Sequence, residues 1–341
     1  MEDNSNSAFI AKLRRAAVWG LAAVFAALAV RGVIEYDKTE IEQSNSMPDS
    51  SSVIEHQPIN DIDLNAVLAS RTEAYLTPEQ SDDLLLAKNY DAPRSRLQPV
   101  YNAVFSDDGF QVASLADTKL LCAAEAVYPL SHMLTDFYSE TGMRTVMVSS
   151  AYQAPPEPQY NYGMTPEEQS APDEASTGLL IGFSLYEENK GSRAFTGAGI
   201  YDWFVDNCYK YGFVLRYPKG KEEVTGHDAD MTLFRFVGEE AAAFMHENGY
   251  CFDELELGLM KMNFDAPMLV DAYGRNELVY AVQADMNGNV QIELPADPEG
   301  NAAPFKAYRC GSGYLICAQL QYIPLLENAS TDADSAELTS E

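Results

Sequence analysis

The sequence predicts a mixed α+β domain with a small all-β extension on its C-terminal side. Three observations carry that expectation: a long helical periodicity around residues 116–141, short apolar or β-branched runs alternating with two further helical patterns, and closely spaced strand and turn signals after residue 265. With 341 residues, 46% of them apolar and 11% aromatic, the chain can bury a sizeable core, and it lacks the composition of a disordered protein. A formal charge of -30 excludes a surface that neutralises phosphates, because such surfaces cluster Lys and Arg, so nucleic acid is not an expected partner.

In the first helical pattern, Leu120, Ala124, Val127, Leu134 and Tyr138 recur at spacings of three, four or seven. Gly142 suits its C-terminal cap and Pro129 should kink it. Residues 144–149 read as a strand rich in β-branched residues, and 178–186 as a buried apolar one. Between them lies a Pro- and Glu-rich loop, from about residue 155 to 173. A second helix over 200–211 puts Ile200, Trp203, Phe204 and Tyr211 on one face, and strands follow at 213–216 and 234–237. A third helix over 239–248 ends at Gly249. The last part offers strands at 278–282 and 290–294 around an Asn287-Gly288 turn, then two more near Phe305 and Tyr314.

Residues 16–30 are an uninterrupted nonpolar run behind Lys12, Arg14 and Arg15, which reads as an export signal. As a helix the run spans roughly 22 Å, lean against the ~30 Å hydrocarbon core, so a membrane anchor and a cleaved signal peptide both remain open. Either way the rest of the chain is expected outside the cytoplasmic membrane, tethered or secreted. The division expected is an anchor or signal over 1–35, a flexible polar spacer over 36–75, the main domain over 76–255, the β-rich extension over 265–326, and an acidic tail over 327–341. Cys122, Cys208, Cys251, Cys310 and Cys317 show no CxxC pair and no zinc spacing, and read as core packing. Cys310 and Cys317 flank a Gly-Ser-Gly turn, but no disulfide framework surrounds them.

The stretch YDWFVDNCYKYGFVLRYPKGKEEVTG, residues 201–226, resembles the VanY-type D-alanyl-D-alanine carboxypeptidases. VSSAYQ at 148–153, STGLLIGFSL at 176–185 and LFRFVGEEAAAFMHENG at 233–249 are similar to further family segments, in the family's order. The resemblance covers residues 80–255 or so, and implies a VanY/LAS-type zinc peptidase fold, a small antiparallel sheet flanked by helices. It also implies one zinc, held by the His and Asp of an HxxGxAxD motif and the His of an ExxH motif, whose Glu is the general base. Such a metal lowers the pKa of its bound water from ~16 to ~7, a change of roughly 12 kcal/mol in acidity that an apolar pocket cannot supply.

Aligned on those segments, Ala175 and Gly182 stand where the first His and the Asp are expected, Leu233 where the second His is, and Asp230 where the Glu is. Ala, Gly and Leu offer no donor atom, so no zinc and no catalytic residue are expected. The family's SAYR reads SAYQ here, with Gln153 replacing the substrate-facing Arg. The cleft expected from the resemblance is lined by Ser150, Tyr152, Gln153, Thr177 and Arg235.

The reading is thus an inactive carboxypeptidase-like protein at the cell surface, whose partner is a peptidoglycan stem peptide or an envelope protein. The alternative is an active zinc D,D-carboxypeptidase with a displaced metal site, in which His227 is the weak candidate ligand, beside Asp228, Asp230, Asp173 and Glu174. The bland reading of that acidic loop is a solvated surface, and His56, His132 and His246 read as ordinary surface or half-buried histidines.

Overall fold

The computed structural model describes residues 62–155, 172–188, 190–272 and 275–320. The expected anchor or signal, most of the spacer with His56, the greater part of the 155–173 loop and the acidic tail lie outside the described residues.

The main body is built on a six-stranded sheet. Its members are β3 (Ser114–Leu115), β5 (Val146–Ser150), β6 (Leu180–Glu187), β7 (Gly191–Ala194), β8 (Phe213–Tyr217) and β9 (Asp230–Phe236). The order is β3-β5-β6-β9-β8, with β7 pairing the far half of β6, and every pair is antiparallel except β3 with β5. A small ribbon of β2 (Leu97–Pro99) and β4 (Leu121–Ala123) leads into helix α2 (Ala124–Thr141). The sequence suggested a helix from residue 116, but residues 121–123 are drawn into pairing with β2, and the helix starts only at Ala124. It runs through Pro129 and ends at Gly142, whose φ of 69° is a left-handed cap.

One sheet face is apolar because strand alternation aims Val146, Val148, Ile181, Phe183, Leu185, Phe234 and Phe236 to one side. These meet Leu130, Met133, Leu134 and Phe137 of α2 and Phe204 of α3 (Asp202–Asn207). Phe183, Phe204, Phe234 and Phe195 form a mutual aromatic cluster with ring centroids 5.3–6.3 Å apart. The helix expected over 200–211 is α3 between two 3-10 turns, Gly199–Tyr201 and Cys208–Tyr211. α4 (Glu222–Thr225), α5 (Glu239–Asn248) and α6 (Leu255–Leu259) complete the helices of this body.

The C-terminal extension is a four-stranded antiparallel sheet in the order β10-β11-β14-β13. Its strands are β10 (Met268–Ala272), β11 (Arg275–Gln283), β13 (Phe305–Cys310) and β14 (Gly313–Gln319). Both faces are buried, which explains its near-continuous apolar runs. Val279, Ala281, Tyr308, Leu315 and Cys317 join the core of the main body, while Leu278, Tyr280, Ala307, Ile316 and Ala318 join a second core.

Over that second core lies a ribbon of β1 (Arg71–Leu76) and β12 (Val290–Pro295), in register from Arg71↔Pro295 to Leu76↔Val290. Helix α1 (Leu64–Ala69), capped by the Asp63 carboxylate, adds Val67. Residues 64–75, placed by sequence in the spacer, are therefore part of this sandwich, together with residue 76. Their burial alternates, with Arg71, Glu73 and Tyr75 outward and Leu76 fully buried. The five cysteines are unpaired, and across the β13-β14 hairpin Cys310 faces Gly313 while Cys317 faces Lys306.

Candidate functional site

The apolar face of the six-stranded sheet is filled by α2 and α3, so the site must be sought on the other face. Cross-strand register brings three of the sequence-predicted positions into one row there. Ser150 pairs with Gly182, and Gly182 pairs with Leu233. Ala175 lies in the 3-10 turn Glu174–Thr177, which enters β6 and is capped by the Asp173 carboxylate accepting from the Ser176 amide. The Ala175 carbonyl accepts a 3.1 Å hydrogen bond from the Gln153 amide, which ties this turn to the end of β5. The resemblance thus picks out residues that the fold brings together.

The side chains in that row are not metal ligands. Ala175, Gly182 and Leu233 carry no nitrogen, oxygen or sulfur beyond the backbone. Gly182 is also closed off sterically: an added Cβ would sit inside the van der Waals radius of Ser150 Oγ and 3.5 Å from Leu233 Cδ2. The donor set does not fit zinc, and no step is derived through one. The displaced set does not assemble either. Asp230 is half-buried at the start of β9, where its carboxylate accepts from the Thr232 amide at 2.8 Å and the Thr232 hydroxyl at 2.7 Å. His227 is exposed, with its ring 4.6 Å from that of Tyr217. His132 packs on Tyr128 and His246 stacks on Tyr209. Among the described residues, no three His, Cys, Asp or Glu side chains are grouped to hold a metal ion.

One row further along β9, Arg235 pairs with Leu180 on one side and Val214 on the other. It is expected in the cleft, and the structure corrects this: Arg235 is 0% exposed, and its two terminal guanidinium nitrogens donate to backbone carbonyls. They reach the carbonyls of Phe236 at 2.6 Å, Leu85 at 3.0 Å and Ala87 at 2.8 Å. Burial brings its pKa down to about 10, opposed by Glu174, so the guanidinium stays cationic at neutral pH. Thr177, also expected in the cleft, is fully buried, with its hydroxyl donating to the Glu174 carbonyl and accepting from the Leu179 amide. Its role is to shape the turn. Ser150 and Tyr152 remain half-buried and Gln153 exposed, and the Tyr152 hydroxyl donates to Asp91 at 2.7 Å.

The feature that sequence reasoning missed is the charge cluster beside Ala175. Glu174 forms ion pairs with Arg216 Nε at 2.7 Å and Arg235 Nε at 3.1 Å. Arg216 also binds Asp253 at 2.6 Å, and Asp253 takes Lys88 at 2.6 Å. The Phe252 ring lies 5.1–5.5 Å from all three cations. Burial works against the charge on Arg216, yet Glu174 and Asp253 outweigh it and raise its pKa. The available signal was a charged residue inside an apolar strand run, as in FVLRY and LFRF.

No protein-family model matches the sequence. A D-alanyl-D-alanine carboxypeptidase of Enterococcus faecium is 28% identical over 181 residues, which is 51% of this chain and 57% of the relative. The chain is thus similar in sequence to D-alanyl-D-alanine carboxypeptidases. The putative carboxypeptidase YodJ of Bacillus subtilis strain 168 is 35% identical over 82 residues, 24% of this chain and 30% of that protein. The chain thus spans less than two thirds of either relative's length. A solved structure of the vancomycin-resistance D,D-dipeptidase VanXYg, in complex with a D-Ala-D-Ala phosphinate analogue, superposes with a TM-score of 0.50 at 19% identity. It covers 73% of this chain and 99% of that one. The fold is the mixed α+β architecture of these peptidases.

Proposed function

We propose that this VanY-type relative is catalytically silent and works by binding, holding a peptidoglycan stem peptide or an envelope protein outside the cytoplasmic membrane. The observation that carries the reading is the row Ser150, Gly182 and Leu233, with Ala175 beside it. The scaffold that would converge three ligands is retained, while the residues on it offer none. Hydrolysis of a D-Ala-D-Ala bond needs an activated water and stabilisation of a developing oxyanion. Asp230 stands at the general-base position, but its carboxylate is committed to Thr232, and Gln153 supplies no fixed positive charge.

What remains is a sheet face with the Tyr152 and Gln153 side chains at its edge, beside the half-buried Leu180 and Leu233. An extended peptide is suited to such a surface, through main-chain hydrogen bonds and small apolar side chains. The likeness to proteins that act on D-Ala-D-Ala peptides supports the stem peptide as the ligand. Calorimetric titration of the full chain with a pentapeptide ending in D-Ala-D-Ala should show saturable binding and no released alanine. A flat titration with stem peptides and muropeptides alike removes the peptide ligand.

A further inference from the structure

Where the C-terminal sheet meets the main body, five charged side chains are packed together. Glu239 and Glu240 come from the first turn of α5, Arg275 and Glu277 from β11, and Lys306 from β13. Glu277 is 0% exposed and Glu240 is 2% exposed. Lys306 donates to Glu240 at 3.0 Å; Arg275 binds Glu239 at 2.8 Å and approaches Glu277 Oε1 at 3.3 Å. Glu277 Oε2 has no donor from a nitrogen or hydroxyl group, and the Glu240 carboxyl lies within hydrogen-bonding reach of Glu277. The remaining titratable groups against the cluster are Tyr308 of β13 and Cys317 of β14, both held neutral by burial, with Asp82 beyond Tyr308.

Charge balance then points to one conclusion. Three carboxylates face two cations, leaving one uncompensated negative charge in a buried interface, where such a charge is costly. The missing donor at Glu277 Oε2 and the excess charge are both supplied by a single proton. We propose that Glu240 and Glu277 share one proton, and that this proton fastens the C-terminal sheet to helix α5 as a pH-dependent latch. Burial, and then the Glu240 charge, push Glu277 up to about 7, while Lys306 overcomes burial and holds Glu240 below its ordinary value. Glu240 is therefore the ionised partner and Glu277 the protonated one.

The sign follows from linkage. A detached sheet exposes Glu277, which ionises near 4.5, whereas the docked sheet keeps the proton until about 7. Docking is strongest near 4.5, weakens as pH rises through that window and is flat above it; at lower pH the Glu240 carboxylate, held below its ordinary value, loses its charge and its pairing with Lys306. Each pH unit inside the window costs roughly tenfold in the docking equilibrium. Lys306, raised above its ordinary value of 10.5, titrates outside the window.

The test is amide hydrogen exchange of the full chain at about pH 5 and about pH 8, corrected for intrinsic exchange rate, beside infrared spectra of the same samples. Protection of β11, β13 and β14 should fall more than tenfold at the higher pH, as should a carbonyl stretch from a protonated carboxylic acid. In Glu277→Gln, whose amide donates to Glu240 at any pH, protection should stay high, and the acid band at about pH 5 should shrink by the share of one carboxylic acid. Equal protection of the wild type at both pH values overturns the latch, and so does an unchanged pH dependence in the variant. Should that variant fail to fold, the infrared spectrum of the wild type at about pH 6.5 decides, because there the exposed carboxyls are ionised and a missing acid band ends the proposal.

Discussion

Replacing Arg235 by methionine should destabilise the protein severely, although the residue touches no solvent. Methionine keeps only an apolar stem and loses the guanidinium that sits 5.1 Å from the Phe252 ring centroid, so the polar loss alone is a lower bound. Three backbone carbonyls, of Phe236, Leu85 and Ala87, lose donors now at 2.6–3.0 Å. At about 1 kcal/mol each these account for about 3 kcal/mol. Glu174 loses one of two cationic partners but keeps Arg216, so its share is about 1–2 kcal/mol, below the 3–5 of a fully broken buried pair. The sum is about 4–5 kcal/mol, a large part of a typical stability of 5–15 kcal/mol. Urea unfolding followed by fluorescence and by circular dichroism should show a much lower midpoint at unchanged slope. A loss under about 1 kcal/mol would refute the claim that Arg235 is structural, and return it to the cleft.

Gly182→Ala should cost about 1–3 kcal/mol through the clash with Ser150 Oγ, and adding Ser150→Gly should restore most of it; additive effects in the double-mutant cycle would show that the two positions do not meet. Leu76→Ala, at the end of a strand whose first five residues the sequence assigned to a spacer, should cost about 2–5 kcal/mol in thermal or urea unfolding, and a neutral effect would show that the strand is not docked. Burial opposes ionisation of Asp253, but Arg216 and Lys88 hold its pKa below 3.8, so its stabilisation is present above that value and is lost as pH falls through the depressed pKa. Acid unfolding of Asp253→Asn should therefore lack part of the steep low-pH limb, and an unchanged acid titration would remove Asp253 from the network.

What the sequence made legible were features written locally: the α2 periodicity with its Gly142 stop, the apolar run of β6, the Asn287-Gly288 turn, and the motif order that located Ala175, Gly182 and Leu233. Pairing partners far apart in sequence were not legible. β4 takes three residues from the expected start of α2 because Leu97–Pro99 is there to pair with it. β9 begins at Asp230 rather than Phe234, since Tyr217 and Leu215 extend the ladder around an irregularity at Arg216. Residues 71–76 find their partner more than two hundred positions away in β12. Their alternation, RTEAYL, was a strand signal on its own, hidden by the polar tract before it. The site divided similarly. Register placed Ser150, Gly182 and Leu233 in one row as the motifs implied, while Arg235 and Thr177 proved to be internal supports, because motif membership does not tell which face a side chain takes.

The central claim is that the retained scaffold no longer grips a metal, and elemental analysis tests it most directly. Full-length protein expressed in zinc-supplemented medium and purified without chelators should contain far less than one zinc per chain, and should release no alanine from a D-Ala-D-Ala peptide. One equivalent of zinc per chain, removable by chelator together with measurable alanine release, would contradict it.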